Sequence, residues 1–265
     1  MPEGHVIHRL ALDHAGLFRG RRLAASSPQG RFEDGAALID GRVLLGTDAW
    51  GKHLFHDYGP GVLLHVHLGL YGTFRQGPGT PPAPRGAIRL RLTAENAWAE
   101  LRGPTACSVI NEAEHDGLLR RLGPDPLRAD ADAEQVRSRL ARSRTPLATA
   151  LTDQTVLAGV GNAFRAEVLF RQRLDPYLAA DEMSAASFDA LWSDLVALMR
   201  AGVKAGRIVT TLREHRERPR GAVTGDDQYY VYRRAGLPCR VCGTPVAVAE
   251  LAGRNLYWCP TCQHR

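Results

Sequence analysis

The chain has 265 residues, 44% of them hydrophobic, with 34 basic against 28 acidic side chains and a net charge of +6. That suits one large domain or two modest ones with a full apolar core. No run approaches the roughly 20 apolar residues that a bilayer span needs, and no signal-peptide pattern opens the sequence, so a soluble, cytoplasmic protein with no membrane association is expected. The positive charge is compatible with a polyanionic partner without requiring one.

Only Lys52 and Lys204 among the basic residues are lysine. Where arginine is the default, a lysine marks a position that needs a compact charge or a titratable amine. In chain order, apolar residues at Ile7, Leu10, Ala11 and Leu17 predict a helix over 3–17, entered through Pro2 and Glu3. Taken alone, Pro2 is a helix-start residue and Glu3 an acid favoured by the helix dipole. From there to about residue 110, short β-like runs alternate with Gly and Pro, which predicts a sandwich or barrel. The stretch at 75–86 is a surface loop in this reading. Cys107, in "PTACSVI", is expected to be a small buried apolar residue.

The Gly/Pro/Asp-rich stretch 118–135 reads as a linker, and 132–206 as helical. The charged segment 213–228 is expected to be a mobile basic loop, and the last 30 residues a cysteine module. The expected domains are 1–115, 125–215 and 229–265.

Four cysteines follow the pattern Cys239-x2-Cys242-x16-Cys259-x2-Cys262. Two such knuckles predict one structural zinc held by four thiolates, with no open position for catalysis. The intervening "GRNLYW" reads as a hairpin with Arg254 at its tip, either solvated or on a phosphate. In "TVLAGVGNAFRAEVLF", the Gly159–Gly161 turn should place Asn162 at the N-cap of a helix, a terminus suited to an anion; any tight helix–helix turn would look the same. His53, His56, His65 and His67 read as sheet residues, one of them able to contact phosphate. A second metal site on the face shared by His65 and His67 lacks a completing carboxylate. Once Met1 is removed, Pro2 carries a secondary amine able to attack the C1′ carbon of a nucleotide sugar. The nearby helix N-terminus favours the neutral amine, and Glu3 is within reach to move protons.

The motifs "MPEG", "WGKHLF", "HVHLGLYGTF", "AGVGNAFRAE" and "GRNLYWCPTCQ" occur in the order and spacing of the formamidopyrimidine-DNA glycosylase and endonuclease VIII family, which the chain resembles from end to end. The resemblance implies an α+β architecture: an N-terminal β-sandwich with a leading helix, a helix–two-turn–helix domain and a zinc ribbon, with DNA between the halves. It implies that Pro2 is the Schiff-base nucleophile, Glu3 the general acid/base and Lys52 a phosphate-binding lysine near the lesion. Asn162, Arg254 and His67 are implied to hold phosphates around a flipped nucleotide. The expected partner is double-stranded DNA with oxidised bases or abasic sites, the expected form a monomer, and the expected reaction base excision followed by β,δ-elimination.

Two departures matter. Val6 stands where many relatives carry glutamate, and "LRGPTAC" lacks the double-arginine–phenylalanine loop of members that prefer oxidised purines. "GLYG" resembles the endonuclease VIII wedge, with Leu70 and Tyr71 as fillers, so oxidised pyrimidines are the expected lesions. The alternatives are a non-catalytic zinc-ribbon protein that binds damaged DNA, and a metal hydrolase using the histidine face.

Overall fold

The computed structural model describes residues 2–218, 223 and 225–264. The chain divides into two compact units, Met1–Arg121 and Leu122–Arg265. The first contains α1 (Gly4–Phe18), β1 (Ala24–Ser26), α2 (Glu33–Ile39), β2 (Gly46–Trp50), β3 (His53–Asp57), β4 (Leu63–His67), β5 (Thr73–Pro78), β6 (Ile88–Ala94), β7 (Ala97–Arg102), β8 (Ala106–Ile110) and α3 (Glu112–Leu119). The strands form two four-stranded antiparallel sheets, ordered β1-β6-β7-β5 and β2-β3-β4-β8. The period-two pattern of β6 explains the layering. Ile88, Leu90, Leu92 and Ala94 turn inward, and Leu90 and Leu92 meet Leu54, Leu64 and Val66 of the other sheet in one core. Helix α1 buries Ile7, Leu10, Ala11, His14 and Phe18 at three- and four-residue spacing and packs on β2 and β3.

The second unit contains α4 (Ala133–Leu140), α5 (Leu147–Ala150), α6 (Asn162–Arg171) and α7 (Ala185–Ala205), followed by the hairpin β9 (Ala247–Leu251) and β10 (Arg254–Trp258). Every residue of α6 from Asn162 to Phe170 is buried, so it is the central helix of this unit. Cys239, Val246, Leu256 and Cys259 belong to the same core as Phe164, Leu169 and Leu195, which makes the cysteine module integral to the unit. Glu167 ties the two further. Fully buried, it accepts hydrogen bonds from the Thr210 hydroxyl and from the backbone N–H groups of Tyr230 (2.8 Å), Val231 (2.9 Å) and Tyr232 (2.8 Å). No helix among the described residues is long and apolar enough to cross a membrane.

Three local expectations need correction. Between Pro146 and Asn162 the expected helical texture is confined to α5, because residues 151–161 fold as successive turns around Gln154. Its amide donates to the Thr152 and Val160 carbonyls and accepts from Gly159 N–H, each at 3.0 Å. These side-chain bonds replace helical ones. Asn162 is the first helical residue rather than the N-cap, a place taken by Gly161. Cys107 is half-buried, since β8 is an edge strand. Of the loop expected at 213–228, residues 219–222 and 224 lie outside the described residues. Its described ends form short 3-10 turns at Arg213–His215 and Gly225–Gln228.

Candidate active site and nucleic-acid-binding elements

Pro2, half-buried, leads directly into α1. Glu3 occupies the N-cap in extended conformation, yet its carboxylate makes no capping bond; its own carbonyl starts the helix by accepting from Val6 N–H at 2.9 Å. Glu3 is also only 1% exposed. A carboxylate at that depth that does not cap its helix is not explained by the helix start alone. Two residues on, burial lowers His5 to a pKa of about 4.

Lys52 lies in the two-residue turn joining β2 to β3, where Gly51 supplies the left-handed backbone (φ 59°) of a tight hairpin and Trp50 pairs with His53. His53 and His67 are paired across β3 and β4, with ring centroids 4.8 Å apart. Both rings are held below their ordinary pKa first by burial, with the Lys52 charge contributing to each. Lys52 and His67 are therefore neighbours. His53 Nδ1 and His65 Nε2 stand 2.8 Å apart, and burial pushes these rings down to about 3 and 4. At neutral pH the row is uncharged, so His67 can offer an N–H to an anion but no cation.

Directly after β4, residues 68–72 make a closed turn in which Gly72 N–H donates to the Leu68 carbonyl at 3.0 Å. Both glycines are required. A Cβ on Gly69 would lie 1.8 Å from Thr105 Oγ1, and one on Gly72 would lie 2.2 Å from the Leu68 carbonyl oxygen. Between them, Leu70 is 55% and Tyr71 85% exposed, so neither packs into the sandwich.

In the second unit, Asn162 Nδ2 donates to the Asn255 carbonyl at 2.8 Å. Asn255 follows Arg254, which opens β10 opposite Leu251 and is exposed. Asn162 and the hairpin carrying Arg254 thus meet, although Asn162 itself is 9% exposed. The four cysteines also converge, with all Sγ atoms within 4.8 Å of one another, Cys242 to Cys259 at 3.4 Å and Cys239 to Cys262 at 3.9 Å. A tetrahedral zinc with bonds of about 2.3 Å requires sulfur separations of about 3.8 Å, so the set fits that ion. Among the described residues it is the only cluster of three or more metal-ligating side chains, and the histidine face forms no second one.

Nothing in the sequence pattern marks Arg165 or Glu167 as interior residues, whereas His53 and His65 belong to the histidine set that the sequence shows. The one available hint for Arg165 is its spacing, three residues after Asn162 on a helix.

Three family models match in register with this architecture: the formamidopyrimidine-DNA glycosylase N-terminal domain over 1–105, its H2TH domain over 122–214, and the zinc finger found in FPG and IleRS over 236–265. Endonuclease 8 1 of Mycobacterium tuberculosis is 49% identical over 99% of this chain and 100% of its own length. Formamidopyrimidine-DNA glycosylase of Thermus thermophilus is 34% identical over 86% of this chain and 85% of its own. Among solved structures, the Lactococcus lactis Fpg complex with abasic-site DNA superposes with a TM-score of 0.81 at 21% identity, covering 99% of this chain and 100% of that one. MutM bound to DNA with carbocyclic 8-oxo-G gives 0.83 at 22% identity, covering 100% of both chains. The fold, the cysteine module and the near-complete alignment agree: the chain belongs to the formamidopyrimidine-DNA glycosylase and endonuclease VIII family of base-excision-repair DNA glycosylases.

Proposed function

We propose that the protein is a bifunctional DNA glycosylase and abasic-site lyase acting on oxidised pyrimidines in duplex DNA. The observation that carries this reading is the N-terminus of α1, where Pro2 precedes a buried Glu3 that does not cap its own helix. After removal of Met1, the Pro2 nitrogen is a secondary amine at the positive end of α1, which favours its neutral, nucleophilic form. Its lone pair attacks C1′, the base departs with a proton, and opening of the sugar ring leaves an iminium linking Pro2 to C1′. Loss of a C2′ proton then expels the 3′ phosphate, and a second elimination expels the 5′ phosphate. Hydrolysis of the iminium returns the free amine. Glu3 moves protons on the sugar during ring opening and elimination.

Lys52, with a neutral His67 beside it, binds backbone phosphate near the lesion in this reading, and Asn162 and Arg254 are phosphate ligands of the second unit. Leu70 and Tyr71 fill the gap left by the flipped nucleotide. Cys239, Cys242, Cys259 and Cys262 would hold one zinc, which organises the ribbon and takes no part in chemistry. The choice of pyrimidines rests on the filler coming from the "GLYG" turn and on the 49% identity to an endonuclease 8.

The test is borohydride trapping on DNA with an abasic site. The wild-type protein should give a covalent adduct at Pro2, and Pro2→Gly should give little. Equal trapping by Pro2→Gly, with the adduct at a lysine, would refute the mechanism. On defined lesions, thymine glycol and 5-hydroxyuracil should be excised faster than 8-oxoguanine opposite cytosine; the reverse order would refute the assigned specificity.

A further inference from the structure

Arg165 is among the largest fully buried side chains of the protein, at 0% exposure. Its guanidinium donates to Asn162 Oδ1, to the Asn255 carbonyl at 3.2 Å and to the Ala148 carbonyl at 3.3 Å. One side chain therefore ties α5, the first turn of α6 and the start of β10. Arginine offers donors and no acceptor, so the Asn162 amide atom that it meets has to be the oxygen. The amide nitrogen is thereby fixed on the other side. One of its hydrogens goes to the Asn255 carbonyl, and an amide nitrogen carries a second that can serve an anion.

We propose that Arg165 is a positioning residue for phosphate recognition, locking the Asn162 amide with its nitrogen toward the DNA backbone. The inference rests on the assignment of Asn162 as a phosphate ligand. Without Arg165 only the bond to the Asn255 carbonyl orients the amide, and a turned-over amide becomes easier to reach. Its oxygen would then face the phosphate, replacing an attractive donor with repelling lone pairs. A full positive charge one hydrogen bond behind the amide also polarises the outward N–H, an effect strengthened in a buried setting.

The experiment is a double-mutant cycle on the zinc-loaded protein, with binding measured to a duplex carrying a tetrahydrofuran abasic analogue. Arg165→Met and Asn162→Ala should each weaken binding about tenfold, and the double variant should bind no worse than Asn162→Ala. Arg165→Lys, which keeps the charge and some of the donors, should recover about threefold of the loss. Zinc content and thermal midpoint are followed throughout. If the two losses multiply in the double variant, Arg165 acts independently of Asn162 and the proposal fails. Wild-type binding by Arg165→Met overturns it as well. Wild-type binding by Asn162→Ala instead overturns the phosphate assignment beneath it. Should Arg165→Met fail to fold, Arg165→Lys completes the cycle, with an expected threefold loss that vanishes on the Asn162→Ala background; a loss that persists there refutes the positioning role.

Discussion

Truncating Leu70 to alanine isolates what the exposed turn contributes to base extrusion. Complete burial of a leucine side chain is worth about 1.5–3 kcal/mol. Since Leu70 is 55% exposed in the free protein, roughly half of that, about 1–1.5 kcal/mol, remains to be gained on insertion into a stack. Alanine retains a small part, so the variant should lose about 1 kcal/mol of the support that offsets flipping, or about fivefold in the single-turnover excision rate on duplex DNA. On single-stranded DNA no void has to be filled, and the rate should be unchanged. The thermal midpoint should also hold, because an exposed leucine contributes little to the fold. The assay is a burst experiment with excess enzyme on one thymine-glycol oligonucleotide, with and without its complement. Equal losses on both substrates would show that Leu70 acts on the flipped base or the fold, and no loss on the duplex would remove the filler role.

Other consequences are as direct. His14 Nδ1 lies 2.9 Å from His56 Nε2 in the core, and burial lowers His14 to about 4 and His56 well below its ordinary value. Between pH 6.5 and 4 the unfolded chain binds protons that these rings refuse, so stability should fall as pH falls through that window; urea unfolding should show a shallower slope for the double variant His14→Leu, His56→Leu. Glu167→Ala leaves three buried backbone N–H groups without their acceptor, while the Thr210 hydroxyl keeps the Gln228 carbonyl, which should cost about 3 kcal/mol and lower the thermal midpoint of the second unit by several degrees in calorimetry. Cys259→Ser should lose zinc and DNA affinity together by metal analysis and titration. Arg254→Ala should keep zinc while reducing the slope of log affinity against log salt by about one.

What could be read from the sequence was whatever depends on local spacing. The entry into α1 followed from Pro2 and the apolar positions after it, the cysteine cluster from its knuckles, and the exposed turn from Gly69 and Gly72. The reading failed where side chains replace backbone patterns. Gln154 satisfies the groups of 151–161 that a helix would have satisfied, which removes most of the expected helix and leaves the N-cap to Gly161 rather than Asn162. Arg165 and Glu167 were illegible for another reason. In a chain with 32 arginines a further one suggests solvent, and a helical acid suggests a surface; only tertiary partners show that both are interior.

The position of the ribbon within the second core has a bearing on biosynthesis. The first unit draws its core from residues between Ile7 and Val109, all available early in translation. The second draws on Val136 at one end and on Leu256 and Cys259 at the other, so α6 and α7 emerge well before the strands and thiolates that complete their packing. Until then their apolar faces are exposed to chaperones and proteases. Zinc supply should therefore govern how much of this half of the protein survives synthesis, and a metal-starved cell should accumulate fragments in which only the N-terminal sandwich is protected.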